Sequence, residues 1–225
     1  MLARISLGRV GHSLPTSELL AFQLAHAKAR DAVLNELDYT PYLRYSTLNV
    51  HSAAKNRTIY LRRPDLGRRL ADPSQLQRGD YDAVLILADG LSATAVDRHA
   101  SPVLDALLPL LEGWKLAPIV VAQQARVAIG DEVGELLGAK MSVILIGERP
   151  GLSSPDSLGA YLTWAPRVGR NDAERNCISN IREEGLKPAL AAQRIAMLMN
   201  AARAQQVTGV KMALGTLEAG GALQE

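Results

Sequence analysis

Short apolar runs alternate with stretches of helical spacing from Tyr81 onward, and this alternation sets the expected architecture. Ala83 to Leu87, Pro118 to Ala122 and Ser142 to Ile146 are continuous apolar runs of strand length, as expected for strands buried on both faces. Between them, helices are predicted from about Ser92 to Leu111 and near Asp131 to Leu137. Ser157 to Trp164 reads as a further strand, and Pro188 to Gln205 as a closing helix with proline in its first turn. The pattern predicts an α/β fold, a Rossmann-like parallel sheet with helices on both faces, preceded by a small helical N-terminal region.

In that N-terminal region, Leu19, Leu20, Ala27 and Val33 recur at helical spacing after the turn-prone Gly11 to Pro15. A helix is predicted from about Ser17 to Leu37, with Thr16 or Ser17 as its N-cap. Pro41 and scattered tyrosines break the pattern between Asp38 and Ala54, which reads as loop or short irregular structure. Pro64, Asp65 and Gly67 punctuate a short helix or turn, and Asp72 to Asp80 reads as a linker. The expected organisation is a helical region over 1–75, an α/β domain over 76–214 and a flexible tail over 215–225.

Composition narrows the function classes. A 225-residue chain with 48% apolar residues can build an ordinary buried core. Basic residues exceed acidic ones by only two (25 against 23), too little charge to drive nucleic-acid binding through counterion release. Aromatic content of 4% leaves little for base stacking. One cysteine forms neither an internal disulfide nor a multi-cysteine metal site, and points to a reducing compartment. With no secretory-type start and no long apolar run, the cytoplasm is the expected location and no membrane partner is expected.

In an open α/β sheet, ligands bind beyond the carboxyl ends of the strands. The loops Asp89 to Ser92, Arg126 to Asp131 and Gly147 to Pro150 are expected to open onto that edge. Each has an ordinary structural role beside the binding one. Ser92 suits a helix N-cap and Gly90 a tight turn, or the same backbone receives a ligand's polar group. Glu148 sits where a strand should end, as a hydrogen-bond acceptor or a salt-bridge partner of Arg149. By residue type alone, Cys177 reads as a small buried apolar residue. Arg62, Arg63, Arg68 and Arg69 form a solvated or salt-bridged face, or an interface. The histidines at 12, 26, 51 and 99 are too far apart in sequence for a local metal motif, and no metal site is expected.

Four ordered stretches carry a family resemblance: YLRRPDLGRRL (60–70), ADGLSATAV (88–96), IGERPGL (146–152) and DAERNCISNI (172–181). Together with the opening segment from Arg4 to Val33, they resemble the light chain of ethanolamine ammonia-lyase. The resemblance implies the small subunit of an adenosylcobalamin-dependent enzyme that converts ethanolamine to acetaldehyde and ammonia by radical chemistry. The 76–214 domain would contact cobalamin through Val127, Glu148 and Cys177, and no catalytic residue is expected in this chain. The valine lies in a Gly-Arg-Val stretch of the family, here Ala125-Arg126-Val127. The resemblance further implies a large-subunit partner, in a hetero-oligomer of six large and six small chains. It makes the arginine cluster an interface with that partner. The chain opens directly on matched sequence, without the long N-terminal extension of some relatives. Encapsulation in a bacterial microcompartment is therefore the less expected location. The reading from pattern alone, a stand-alone α/β module that binds a nucleotide or metabolite at the Asp89 to Ser92 edge, is the alternative.

Overall fold

The computed structural model of the chain describes residues 13–38 and 40–212. Its centre is a six-stranded sheet in the order β1-β3-β2-β4-β5-β6. The strands are β1 (Thr47–His51), β2 (Tyr81–Ala88), β3 (Ile119–Gln123), β4 (Ala139–Gly147), β5 (Leu158–Trp164) and β6 (Arg175–Ile181). The helices are α1 (Thr16–Leu34), α2 (Arg57–Arg62), α3 (Ala93–Leu107), α4 (Ile129–Leu137) and α5 (Pro188–Gln205).

The buried parallel strands explain the continuous apolar runs. Along β2, Leu85 and Leu87 face the layer of α3 and α5, while Val84, Ile86 and Ala88 face α4. Both faces are covered, so every side chain from Ala83 to Ala88 is buried. Ser92 caps α3 by accepting from the Ala95 amide at 3.3 Å, as its position predicts. Proline opens α5 at Pro188.

Three features depart from the sequence reading. The sheet is mixed: β1, β3, β2 and β4 are parallel, whereas β5 and β6 run antiparallel to their neighbours. The segment 148–157 after β4 contains no crossover helix, so the chain cannot return to the other end of the sheet and pairs back on β4 instead. Within the segment read as loop, Thr47–His51 forms an edge strand on β3. Only Val50 of that strand is buried, which is why its apolar signal is weak. The first helix begins at Thr16 behind Pro15 with no side-chain cap, and ends at Leu34 where Asn35 turns extended. Of its 19 residues only Ala32 is buried, and Leu20, Phe22 and Leu24 are exposed. The tail expected over 215–225 lies outside the described residues.

The ends of β2 and β4 touch through backbone. A Cβ at Gly147 would lie 2.0 Å from the Ser92 carbonyl oxygen and 2.6 Å from that of Asp89. Because backbone cannot move aside like a flexible side chain, Gly147→Ala is expected to destabilise the fold by about 1–3 kcal/mol. The check is the urea midpoint, which should fall while the slope of the unfolding curve stays unchanged.

Candidate functional site

The order β1-β3-β2-β4 means that the chain leaves β2 toward one side of the sheet and β4 toward the other. A crevice is expected beyond the carboxyl ends of two such strands. The structure has an open groove of about 400 Å³ there, walled by Gly90 and Leu91 after β2, Arg126 and Val127 after β3, and Gly147 and Glu148 at the end of β4. A second groove of about 610 Å³ continues from it, sharing Arg126, Val127 and Tyr161. The three loops expected at the binding edge thus meet on one wall.

Glu148 is held from two sides. Its carboxylate accepts a short hydrogen bond from the Ser157 hydroxyl and a 3.2 Å bond from the Asn180 amide. The side chain makes no ion pair with Arg149 among the described residues, so the salt-bridge alternative does not hold. Gly159 makes the arrangement possible: a Cβ there would lie 2.9 Å from Glu148 Oε1 and 3.1 Å from the Tyr161 ring. Val127, half-buried, lies in the turn into α4, where its carbonyl accepts from Gly130 at 3.1 Å.

Cys177 lies on β6 directly opposite Tyr161 of β5, and its side chain is exposed rather than buried. An edge strand with one open face accounts for the difference from expectation. Burial by neighbouring groups nevertheless raises the thiol pKa; the nearby Tyr161 hydroxyl opposes the rise and the Glu148 charge adds to it. The resting sulfur is therefore a neutral thiol. Alkylation of Cys177 by iodoacetamide at pH 7.4 is expected to run several-fold slower than that of glutathione, rising with pH beyond the ordinary thiol range. A rate matching the small thiol would contradict this.

The arginine-rich segment divides. Arg63 pairs with Asp65 at 2.7 Å on the exposed surface, whereas Arg68 and Arg69 line the larger groove. Arg126 stacks on the Tyr60 ring at 4.3 Å, with Arg57 on the same ring at 4.7 Å. Tyr60 is fully buried and its hydroxyl donates to the Ala125 carbonyl at 3.0 Å.

Two buried ion pairs brace the groove. Arg175 donates twice to Asp131, both at 2.6 Å, and once to Thr163 Oγ1 at 2.8 Å, tying β6 to the start of α4. Burial pulls the guanidinium pKa down, but Asp131 more than offsets this and Arg175 stays charged. Asp89, 2% exposed, accepts from the Gln124 and Ala125 amides at 3.0 Å each and pairs with Arg57 at 3.3 Å. Its carboxylate points inward, so it serves the protein's own backbone rather than the groove. Sequence reasoning missed Tyr60, Tyr161 and both ion pairs. The YLRRPDLGRRL stretch held the signal for Tyr60, a lone aromatic beside arginines.

The sequence matches the family model "Ethanolamine ammonia-lyase light chain (EutC)" over residues 1–213. The chain belongs to this light-chain family. It is 56% identical to the ethanolamine ammonia-lyase small subunit of Pseudomonas aeruginosa, over 93% of this chain and 83% of that one. The small subunits of Azotobacter vinelandii and Ralstonia nicotianae are 55% and 54% identical, covering 93% and 92% of this chain and 84% and 83% of theirs. Three of the four motifs, at 60–70, 88–96 and 146–152, contribute to the lining of the smaller groove, and the fourth, at 172–181, contains β6. Among the described residues, no helix of this light chain is long and apolar enough to cross a membrane.

Proposed function

We propose that this chain is the small subunit of an adenosylcobalamin-dependent ethanolamine ammonia-lyase, and that its groove holds the cofactor against the large subunit. The observation that carries the reading is the shared wall. Val127 and Glu148 line one groove, and Cys177 is a single cross-strand step away through Tyr161. The donor set fits cobalamin's chemistry. The Glu148 carboxylate can accept from the peripheral amides of the corrin, Val127 offers backbone groups and packing, and Cys177 presents a neutral sulfur. An open groove covers one face of a large ligand and leaves the other to a second chain.

When bound, the cofactor supplies the radical chemistry that turns ethanolamine into acetaldehyde and ammonia. This chain's residues hold and orient: Glu148 fixes an edge of the cofactor, Tyr161 lines the groove with Cys177 paired opposite it on β6, and the stacked Arg126 keeps the Val127 turn in place. Substrate contact and proton transfer fall to the large subunit. The assembly is a hetero-oligomer of six large and six small chains in the cytoplasm, free or inside a bacterial microcompartment. The exposed Arg62, Arg68 and Arg69 lie on the side that meets the large subunit, with the 76–214 domain contacting the cofactor.

Since Val127 contributes backbone and packing, Val127→Ala is expected to change cobalamin affinity by less than about threefold, under 0.7 kcal/mol. The reading is tested by co-purifying the chain with a large subunit from the same source and recording the cobalamin absorbance of the complex. A two-chain complex that retains cobalamin supports it. Cobalamin-free complexes, or a chain that stays alone and takes a nucleotide by itself, would favour the stand-alone binding module.

A further inference from the structure

The turn that carries Val127 is built from a strained start. Gln124, the first residue after β3, has φ +51°, a left-handed conformation that non-glycine residues rarely adopt. Both amides at this point are claimed by one carboxylate: Gln124 and Ala125 donate to Asp89 Oδ2 and Oδ1 at 3.0 Å. Asp89 is in turn fixed by Arg57, whose Nη1 also donates to the Gly90 carbonyl at 2.8 Å, and whose Nε donates to the Val33 carbonyl at 2.6 Å. Downstream, Tyr60 holds the Ala125 carbonyl and the Gly67 carbonyl holds the Arg126 amide at 2.8 Å. The turn therefore has little freedom once Gln124 is set.

We infer that Asp89, anchored by Arg57, is a positioning residue that locks Gln124 in its left-handed conformation and thereby aims the Arg126–Val127 turn into the groove. The inference rests on the reading of that groove as the cofactor site. Asp89 touches no ligand; it acts through backbone. A carboxylate suits the task because its two oxygens serve two successive amides at once, which a carboxamide oxygen and nitrogen cannot do. Buried at the end of β2, the carboxylate is shielded from water that would compete for those amides.

The test uses the two-chain complex and adenosylcobalamin titrated by absorbance, with cofactor KM and kcat measured alongside. Asp89→Asn is expected to weaken cofactor binding about tenfold, the loss falling mainly on cofactor KM. Adding Gln124→Gly should restore affinity to within about threefold of wild type, because glycine adopts positive φ without being held there. General damage to the core would not be repaired by a second substitution at 124. Should Asp89→Asn fail to fold, Arg57→Lys, which keeps the charge and loses the fork, is expected to weaken binding in the same direction. Unchanged affinity in a folded Asp89→Asn complex, or in Arg57→Lys if that variant must be used, would overturn the inference, as would a loss that Gln124→Gly leaves in place. A wild-type complex that binds no cobalamin would instead overturn the cofactor reading beneath it, and the inference with it.

Discussion

Arg175→Met is expected to lower the unfolding free energy by about 3–5 kcal/mol, the usual cost of removing one partner from a buried ion pair. Both side chains are almost fully buried, at 3% for Arg175 and 2% for Asp131. The substitution strands the Asp131 carboxylate without either of its 2.6 Å donors, and leaves Thr163 Oγ1 without the Arg175 donor. Burial already pushes the Asp131 carboxyl pKa up, and Arg175 is the main force pulling it back. With Arg175 gone, Asp131 would take up a proton at higher pH still, so the variant should bind a proton on folding and lose stability further as pH rises. Asp131→Leu combined with Arg175→Met should cost much less than the single change, since no charge is left buried. Urea unfolding at two pH values checks all three statements. A single variant within about 1 kcal/mol of wild type would show that water reaches Asp131 through the groove and screens it.

Glu148→Ala is expected to weaken adenosylcobalamin binding by one to two orders of magnitude, about 1.5–3 kcal/mol for a lost hydrogen bond to a charged group. The carboxylate also accepts from Ser157 and Asn180, so part of the loss comes from slackening where β4, β5 and β6 meet. Glu148→Gln separates the two contributions. It keeps the side chain's length and an acceptor oxygen, so it should retain most of the stability while still losing affinity. Cofactor titration of the two-chain complex, alongside its thermal midpoint, distinguishes them. Equal affinity in wild type and Glu148→Ala would remove Glu148 from the cofactor site.

The sequence made the centre of the sheet legible and its edges not. Runs such as Val84 to Leu87 are apolar at every position because both faces are covered, a signal that needs no neighbour to interpret. Edge strands lack that signal. In β6, Asn176, Ser179 and Asn180 are polar positions on an edge strand whose neighbour in the sheet is β5, and β1 buries a single residue. The same division runs through the candidate site. Val127 and Glu148 follow strands that could be read, so the rule that ligands bind at strand carboxyl ends already brings them together. Cys177 comes to lie opposite the groove residue Tyr161 only because β5 and β6 fold back antiparallel, which a parallel reading does not supply. Asp89 lay inside a motif that reads as ligand-binding; only its buried contacts with the Gln124 and Ala125 amides reveal that it works from behind the turn.

The most direct test of the account is acetaldehyde production from ethanolamine in the presence of adenosylcobalamin, with this chain and a large subunit from the same source assayed separately and together. The account predicts activity only when both chains and the cofactor are present. Full activity from the large subunit and cofactor alone, or none from a stable two-chain complex loaded with cobalamin, would contradict it.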